Sequence, residues 1–384
     1  MKVTINQKAL ERLQGGHDWI FRSDLVAVEK EQAGVASVCS EKGKLLGEAL
    51  YSPKSLIALR FMTRGADKIT PGLIRDRIQL ADRRRREIYP DEEAYRVVFG
   101  EADRLPSLIV DRFSDLLVFQ TLSAGMDTFK ETVVEVLRGL FAPRAIIERN
   151  DSTVRQREEL PLLRQSVYGE APQEASFRFQ GRTIHFDPIE GQKTGFFLDQ
   201  RFNAAEARRF AHGEMLDAFC YVGQFGLQGA PRASSVLCVD ASEPALAFAA
   251  RNAELNGLGN LQTRCANAFD FLKECDQEKR RFDTISLDPP AFVKNRAALK
   301  PALRGYKEIN LRAMRLLRPG GILISSSCSQ HLSSGLFEKT LAEAARDAKR
   351  RVQVLEKRGQ PADHPILLGV PETEYLKCYI LRVE

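Results

Sequence analysis

Cys328 stands in the run Ser325–Gln330, SSSCSQ, directly after a predicted strand, and Asp288 opens an Asp288-Pro289-Pro290 turn at the end of the strand before it. A thiolate is a strong nucleophile when its surroundings lower its pKa. Hydroxyl neighbours set Cys328 apart from a cysteine that merely fills a core. Two prolines donate no hydrogen bond and stiffen the chain, so they fix the Asp288 carboxylate and the Pro289 carbonyl at a sheet edge. A third group lies upstream, in Met215–Leu227, MLDAFCYVGQFGL, and in Asp240, which closes the next apolar run 17 residues beyond Gly223. A tight turn after one strand and a carboxylate at the tip of the next hold ribose hydroxyls in open α/β sheets. Tyr221–Gly226 reads YVGQFG, not G-x-G-x-x-G. A pyrophosphate cradle is therefore disfavoured, and a nucleoside cofactor without phosphates, S-adenosylmethionine (SAM), fits better.

Two further stretches point the same way. Lys193–Arg201, KTGFFLDQR, is a poor core segment, with paired aromatics, an acid, an amide and a base. It suits a lid over a purine and a charged amino-acid tail. Asn267, after the third strand, is placed to hydrogen-bond an adenine edge. Cys220 and Cys238 lie at or inside strands, where packing accounts for them, and Cys39, Cys265, Cys275 and Cys378 have no distinguishing context.

Positioning these groups at neighbouring strand tips requires alternating strands and helices. From residue 187 the pattern supplies them, with strands expected at Met215–Phe219, Ser235–Val239, Leu261–Cys265, Phe282–Leu287, Ile322–Ser326, Val352–Lys357 and Tyr375–Val383. Helices are expected at Gln200–Phe210, Pro244–Asn256, Ala268–Cys275, Tyr306–Leu317, closed by Pro319-Gly320-Gly321, and Gly335–Ala348. Residues 1–70 read as short β-prone runs, and 71–186 as a central α+β region opening on a helix, Leu73–Tyr89. Trp19, in GHDWIF, has two readings, a barrel anchor or a base-stacking platform. The cluster Arg83–Arg86 points in several directions on its helix, with solvent for most and phosphate contact as the alternative.

At 384 residues the chain exceeds one ordinary domain. A hydrophobic share of 43% with 28% charged residues is that of a soluble globular protein. The beginning, MKVTINQKALERLQGG, lacks the apolar segment of a signal peptide. No window reaches a membrane span. Seven scattered cysteines without C-x-x-C read as reduced cytosolic thiols, so a disulfide frame and a zinc site are not expected. A net charge of +6 permits a nucleic-acid partner without requiring one.

Taken together, KTGFFLDQR, LDAFCYVGQFGL, VDASEPAL, LDPPAFVKN, RGYKEIN, RPGGILISSSCS and ADHP resemble, in order and spacing, the bacterial ribosomal RNA large-subunit methyltransferase family that forms 5-methylcytosine. GGHDWIF, GEADRLPSLIVDRF and IIERND extend the resemblance to the front of the chain. It implies a PUA-like RNA-binding domain (1–70), a central α+β domain (71–186) and a Rossmann-like SAM-dependent methyltransferase domain (187–384). It also implies roles. Phe197, Gln200, Arg201, Asp217, Phe219, Tyr221, Gly223, Asp240, Ala241, Ser242, Asn267, Ala268, Asp288 and Pro289 match cofactor-binding positions. Cys328 matches the nucleophile, with Asp288 beside it. Three positions depart from the family pattern: Asn267 replaces an acid, Val222 a threonine and Gln224 a glycine.

The implied chemistry is covalent activation, in which Cys328 adds to cytosine C6 and makes C5 nucleophilic. Lys294, Arg296, Lys300 and Arg304 follow the DPP turn and could hold the RNA backbone, as solvated charge could also explain them. Ribosomal RNA is the expected partner, with a homodimer as an option; no metal and no membrane are expected. The rival readings are SAM-dependent methylation of a purine nitrogen in RNA, a non-catalytic RNA-binding or assembly factor, and a small-molecule methyltransferase.

Overall fold

The computed structural model describes residues 1–293 and 298–384. It divides into two compact units. The first comprises Met1–Phe179, Asp187–Leu198 and Ala362–Thr373, and the second Gln180–Phe186, Asp199–Pro361 and Glu374–Glu384.

The first unit opens with six short strands, β1 (Lys2–Ile5), β2 (Trp19–Phe21), β3 (Leu25–Val28), β4 (Gly34–Ser40), β5 (Leu45–Tyr51) and β6 (Ile57–Phe61), and one helix, α1 (Gln7–Gln14). They form one sheet in the order β2-β6-β5-β4-β1-β3. Its alternating inward residues, among them Val3, Ile5, Val38, Ala49 and Leu59, make a closed apolar core. Helix α1 starts at Asn6, whose side chain accepts from the Ala9 N–H.

Helix α2 (Pro71–Ile88) follows, capped by Thr70 with proline in its first turn. Strands β7 (Ala94–Phe99), β8 (Leu108–Phe113), β9 (Leu116–Thr121), β10 (Ala145–Asn150) and β11 (Leu163–Tyr168) pair in the order β11-β10-β9-β8-β7. Helices α3 (Ala124–Asp127) and α4 (Lys130–Phe141) lie between β9 and β10 in the chain. The apolar face of α2, Ile74, Ile78 and Ala81, shares a core with Val97, Val110, Phe119 and Ile146. Within the run Arg83–Arg86 the residues part ways. Arg85 is buried and grips Asp103 with two bonds of 2.6 Å, whereas Arg86 is an exposed partner of Asp82. Strands β12 (Ala175–Phe179) and β13 (Arg182–Phe186) are formed, and the division between the units runs between them.

The second unit contains β13 and a seven-stranded sheet made of β14 (Gly213–Ala218), β15 (Ala233–Asp240), β16 (Leu261–Cys265), β17 (Phe282–Leu287), β18 (Leu317–Ser327), β19 (Val352–Arg358) and β20 (Lys377–Val383). Their order is β16-β15-β14-β17-β18-β20-β19, or 3-2-1-4-5-7-6 when counted within the sheet. The first five are parallel, and β20 is inserted antiparallel between β18 and β19. Strand alternation serves two covered faces. Met215, Cys238, Ile324 and Ile380 face α5 (Arg201–Ala207), α6 (Gln224–Gly229) and α7 (Glu243–Leu255). Leu216, Val239, Leu323 and Leu381 face α8 (Ala268–Gln277), α9 (Leu299–Leu316) and α10 (Ser334–Ala348). This is the expected Rossmann-like α/β architecture behind a β-rich first part.

Two details differ from the sequence expectation. Helix α9 begins at Leu299, not Tyr306, and β18 runs on directly from its end. Pro319-Gly320-Gly321 therefore lies inside the strand, where the pairing with β17 shifts register between Phe282 and Thr284 and Gly320 takes φ +80°. Among the described residues no helix is long and apolar enough to cross a membrane.

Candidate active site at the carboxyl ends of the parallel strands

The switch in strand order lies at β14, whose neighbours β15 and β17 continue in opposite directions, and ligands of open α/β sheets collect beyond such a point. The chain leaving β14 turns tightly: Phe219, Tyr221 and Gly223 all have left-handed backbone, with φ of +62°, +51° and +84°. At Gly223 a side chain would also crowd the Ala249 Cβ at 3.2 Å. Two carboxylates tie this loop down. Asp240, at the tip of β15, accepts from the Tyr221 and Ser242 N–H groups, each at 2.9 Å, one on each oxygen. Asp217, fully buried, accepts from the Gly226 N–H at 2.7 Å and from the Ser286 hydroxyl at 2.6 Å. Burial pushes the Asp217 carboxyl up to about 6; its two hydrogen bonds oppose the rise, and the nearby Asp240 charge adds to it. Asp217 thus shapes the turn, while Asp240 remains partly exposed at its mouth.

Around the loop, Ser242 caps α7 and Asn267 caps α8. The Asn267 oxygen accepts from the Phe269 and Asp270 N–H groups at 2.9 and 3.4 Å, with Ala268 buried beside it. Ala241 is exposed, and its carbonyl lies 3.6 Å from the Cys265 sulfur.

At the end of β17, Asp288 is partly buried and its Oδ1 accepts from the Gln200 amide at 2.7 Å. Gln200 is held by Asn203 at 2.7 Å, and Asn203 accepts from Arg358 at 3.1 Å. Arg201 is fully buried with its guanidinium 4.5 Å from the Phe202 ring centroid. Pro289 is buried and Pro290 exposed. Cys328 is partly exposed, and its sulfur lies 4.0 Å from the Pro289 carbonyl oxygen. The thiol at the end of β18 and the Asp-Pro-Pro turn at the end of β17 are therefore neighbours.

The residues beside Cys328 are fixed by a buried polar cluster. The Tyr306 hydroxyl meets the Ser327 and Ser329 hydroxyls, each at 2.9 Å, and the Ser329 oxygen accepts from the Val293 N–H at 3.2 Å. Lys377, opposite Ser327 on β20, donates to the Ser329 carbonyl at 2.7 Å. Sequence reasoning assigned no role to Tyr306, Asn203, Ser286, Arg358 or Lys377. The signal it had for Tyr306 was the RGYKEIN run itself; Lys377 carried no local signal, since its strand holds a second cation, Arg382.

Phe197 and Trp19 belong to the first unit. Lys193 Nζ lies 4.3 Å from the Phe197 ring centroid, and the half-buried Trp19 donates its indole N–H to Glu101 at 3.0 Å. Arg304 and Lys300 are exposed on α9, and Lys294 and Arg296 lie outside the described residues.

Residues 3–64 match the model of a PUA-like domain, and residues 210–363 that of a methyltransferase domain. The fold is that of SAM-dependent methyltransferases. A chain so described from Streptococcus mutans superposes with a TM-score of 0.86 over 100% of both chains at 20% identity. A second methyltransferase, solved in complex with SAH, does so equally, with a TM-score of 0.86 at 20% identity. Among curated proteins, Ribosomal RNA large subunit methyltransferase I of Shewanella denitrificans is 40% identical over 98% of this chain and 97% of its own length. Its counterpart from Pseudoalteromonas atlantica is 36% identical over 100% of this chain and 99% of its own. With similarity of that depth running from end to end, and the turn, acid and thiol arranged as described, the chain belongs to the ribosomal RNA large subunit methyltransferase I family.

Proposed function

We propose that this protein uses SAM to methylate C5 of a cytosine in large-subunit ribosomal RNA through a covalent adduct on Cys328. The observation that carries the reading is the partly exposed residue Cys328, whose sulfur lies 4.0 Å from the carbonyl of Pro289, in the turn that also presents Asp288. The large-subunit RNA substrate rests on the names of the relatives. A PUA-like domain at the front supports an RNA partner.

The residues present fit the cofactor. Asp240 spends one acceptor site of each oxygen on the loop and, being partly exposed, keeps others for ribose hydroxyls. The left-handed backbone at Phe219, Tyr221 and Gly223 opens the loop beside it. In this reading Gly223, Asp240, Ala241 and Ser242 hold the nucleoside, Asn267 and Ala268 border the adenine, and Asp217 acts through the turn it shapes. Gln200 and Arg201 close the site from the amino-terminal side. Bound there, SAM supplies an electrophilic methyl group.

The protein's own steps concern the base. The Cys328 thiolate forms a bond to C6, and the pair of electrons displaced from the C5–C6 double bond makes C5 nucleophilic. Asp288, oriented by Gln200, holds the N3/N4 edge of the ring, accepting from the N4 amino group and sharing a proton with N3 as thiolate addition builds negative charge there. C5 then takes up the methyl group and gives its proton to water; the C5–H electrons restore the C5–C6 double bond as the C6–S bond breaks and returns its pair to sulfur. The target base must leave its stack to reach the thiol. Phe292, second after the prolines, packs against Tyr306 at 4.6 Å and Phe269 at 5.5 Å between ring centroids. This engagement speaks against a stacking platform for a purine.

The division into a PUA-like domain (1–70), a central α+β domain (71–186) and a methyltransferase domain (187–384) is proposed on the same footing. The six-stranded and five-stranded sheets within the first two segments support it. The deciding experiment is Cys328→Ala assayed with tritiated SAM on ribosomal RNA. Loss of transfer, with SAM binding retained, is the expected result; sustained turnover sinks the cytosine-C5 reading.

A further inference from the structure

Lys377 is a buried cation without a carboxylate within ion-pair distance among the described residues. It is only 4% exposed and begins β20, directly opposite Ser327 in the antiparallel pairing with β18. Two of its three N–H groups are taken, by the Ser329 and Tyr375 carbonyls, both at 2.7 Å. Its ammonium group is thus tied to one side of Cys328 through Ser329 and stands across the ladder from the residue on the other side. The Tyr306 hydroxyl bonds Ser327 and Ser329 and pins the same three-residue segment from α9.

A buried ammonium is costly unless its charge is used. Burial lowers the Lys377 pKa to about 8, with the Cys328 and Glu374 charges opposing that fall. The ammonium is therefore still protonated at neutral pH and loses its charge as the pH rises through about 8. Among the described residues the other titratable groups beside this pair are Glu374 and Tyr306, whose phenol is pushed up mainly by burial, with its Ser327 and Ser329 hydrogen bonds opposing the rise and the Cys328 charge adding to it.

We propose that Lys377 is the positioning residue of the nucleophile: its ammonium group, fixed on the Ser329 and Tyr375 carbonyls, favours the thiolate form of Cys328. This rests on the reading of Cys328 as the nucleophile. Lys377 keeps its proton throughout, and the thiol proton passes to solvent. The hydrogen bonds to two carbonyls hold the charge in place, so little reorganisation is needed when the thiolate forms.

The test is the pH dependence of iodoacetamide alkylation at Cys328, followed peptide by peptide in the full chain. In Lys377→Met the midpoint moves up by about one pH unit, and the rate at pH 7 falls about tenfold. Lys377→Arg restores most of it. Methyl transfer at pH 7 falls in parallel, with KM for SAM unchanged. A Lys377→Met profile that superposes on the parent overturns the proposal. Should that variant not fold, coupling is reciprocal and can be read from the other side. Cys328→Ser then lowers the Lys377 pKa, followed by NMR of 13C-labelled lysine, and an unmoved titration overturns the proposal equally. Turnover retained by Cys328→Ala would defeat the cytosine reading while leaving the alkylation result to decide whether Lys377 acts on the thiol.

Discussion

The Gln200 amide donates to Asp288 at 2.7 Å and is the end of a chain that runs back through Asn203 to Arg358. Each link runs from an N–H group to an oxygen, so the Gln200 oxygen is engaged from behind and its amide nitrogen is turned toward Asp288. A hydrogen bond to a charged group contributes about 1.5–3 kcal/mol. Gln200→Leu should therefore lower kcat by roughly 10- to 100-fold. Asn203→Ala, which leaves Gln200 in place but unsupported, should show a smaller loss of the same kind. Single-turnover rates at saturating SAM measure both, and wild-type rates in Gln200→Leu would show that Asp288 needs no such support.

Asp240 serves two tasks, bracing Tyr221 and Ser242 from within the loop and presenting its remaining acceptor sites outward. Asp240→Ala removes both, and SAM affinity should fall by about 10- to 100-fold, the equivalent of one or two charged hydrogen bonds. Calorimetric titration checks this. An unchanged Kd would move the ribose contact elsewhere.

Asp217 predicts a pH signature of opposite sign to that of a salt-bridged acid. Its carboxyl is raised from 3.8 to about 6, mainly by burial. The folded state then binds more protons than the unfolded state between those values. This contribution is most favourable below pH 4, declines as the pH rises to about 6, and is level above it. The full span is about 3 kcal/mol. Urea unfolding of the parent and Asp217→Asn from pH 4 to 7.5 isolates it. The difference between the two should drift against the parent as the pH rises, and a constant difference would contradict the buried titration.

The parallel strands and the three tip residues Asp240, Asp288 and Cys328 were legible because each apolar run stops at a group with its own chemistry. Continuous apolar runs of strand length between turn signals leave little choice of element. Arg85 was not legible. In a row of four arginines only tertiary contact distinguishes the one that enters the core, and its partner Asp103 lies 18 positions away. Pro319-Gly320-Gly321 reads as a stop signal, yet the β17 pairing recruits it into β18 at the cost of a register shift. Strand β11 shows no apolar alternation, because its residues are half-buried or exposed beside β10. Lys377 was hidden for a related reason: local pattern marks a lysine in a strand as an edge or an exposed position, and only the pairing with β18 reveals where it is enclosed.

The left-handed run at Phe219, Tyr221 and Gly223 carries an unequal burden. Glycine occupies that region freely, whereas each aromatic residue there costs about 1–2 kcal/mol. Glycine substitutions at 219 and 221 would relieve that conformational tension, and their stability gain would be set against the loss of two rings. Phe219 meets Phe269 edge-on at 5.8 Å, and Tyr221 is nearly buried. The turn is thus kept rigid by side chains that its own backbone resists, a compromise in which durability of the fold is traded for a fixed contour at the strand tips.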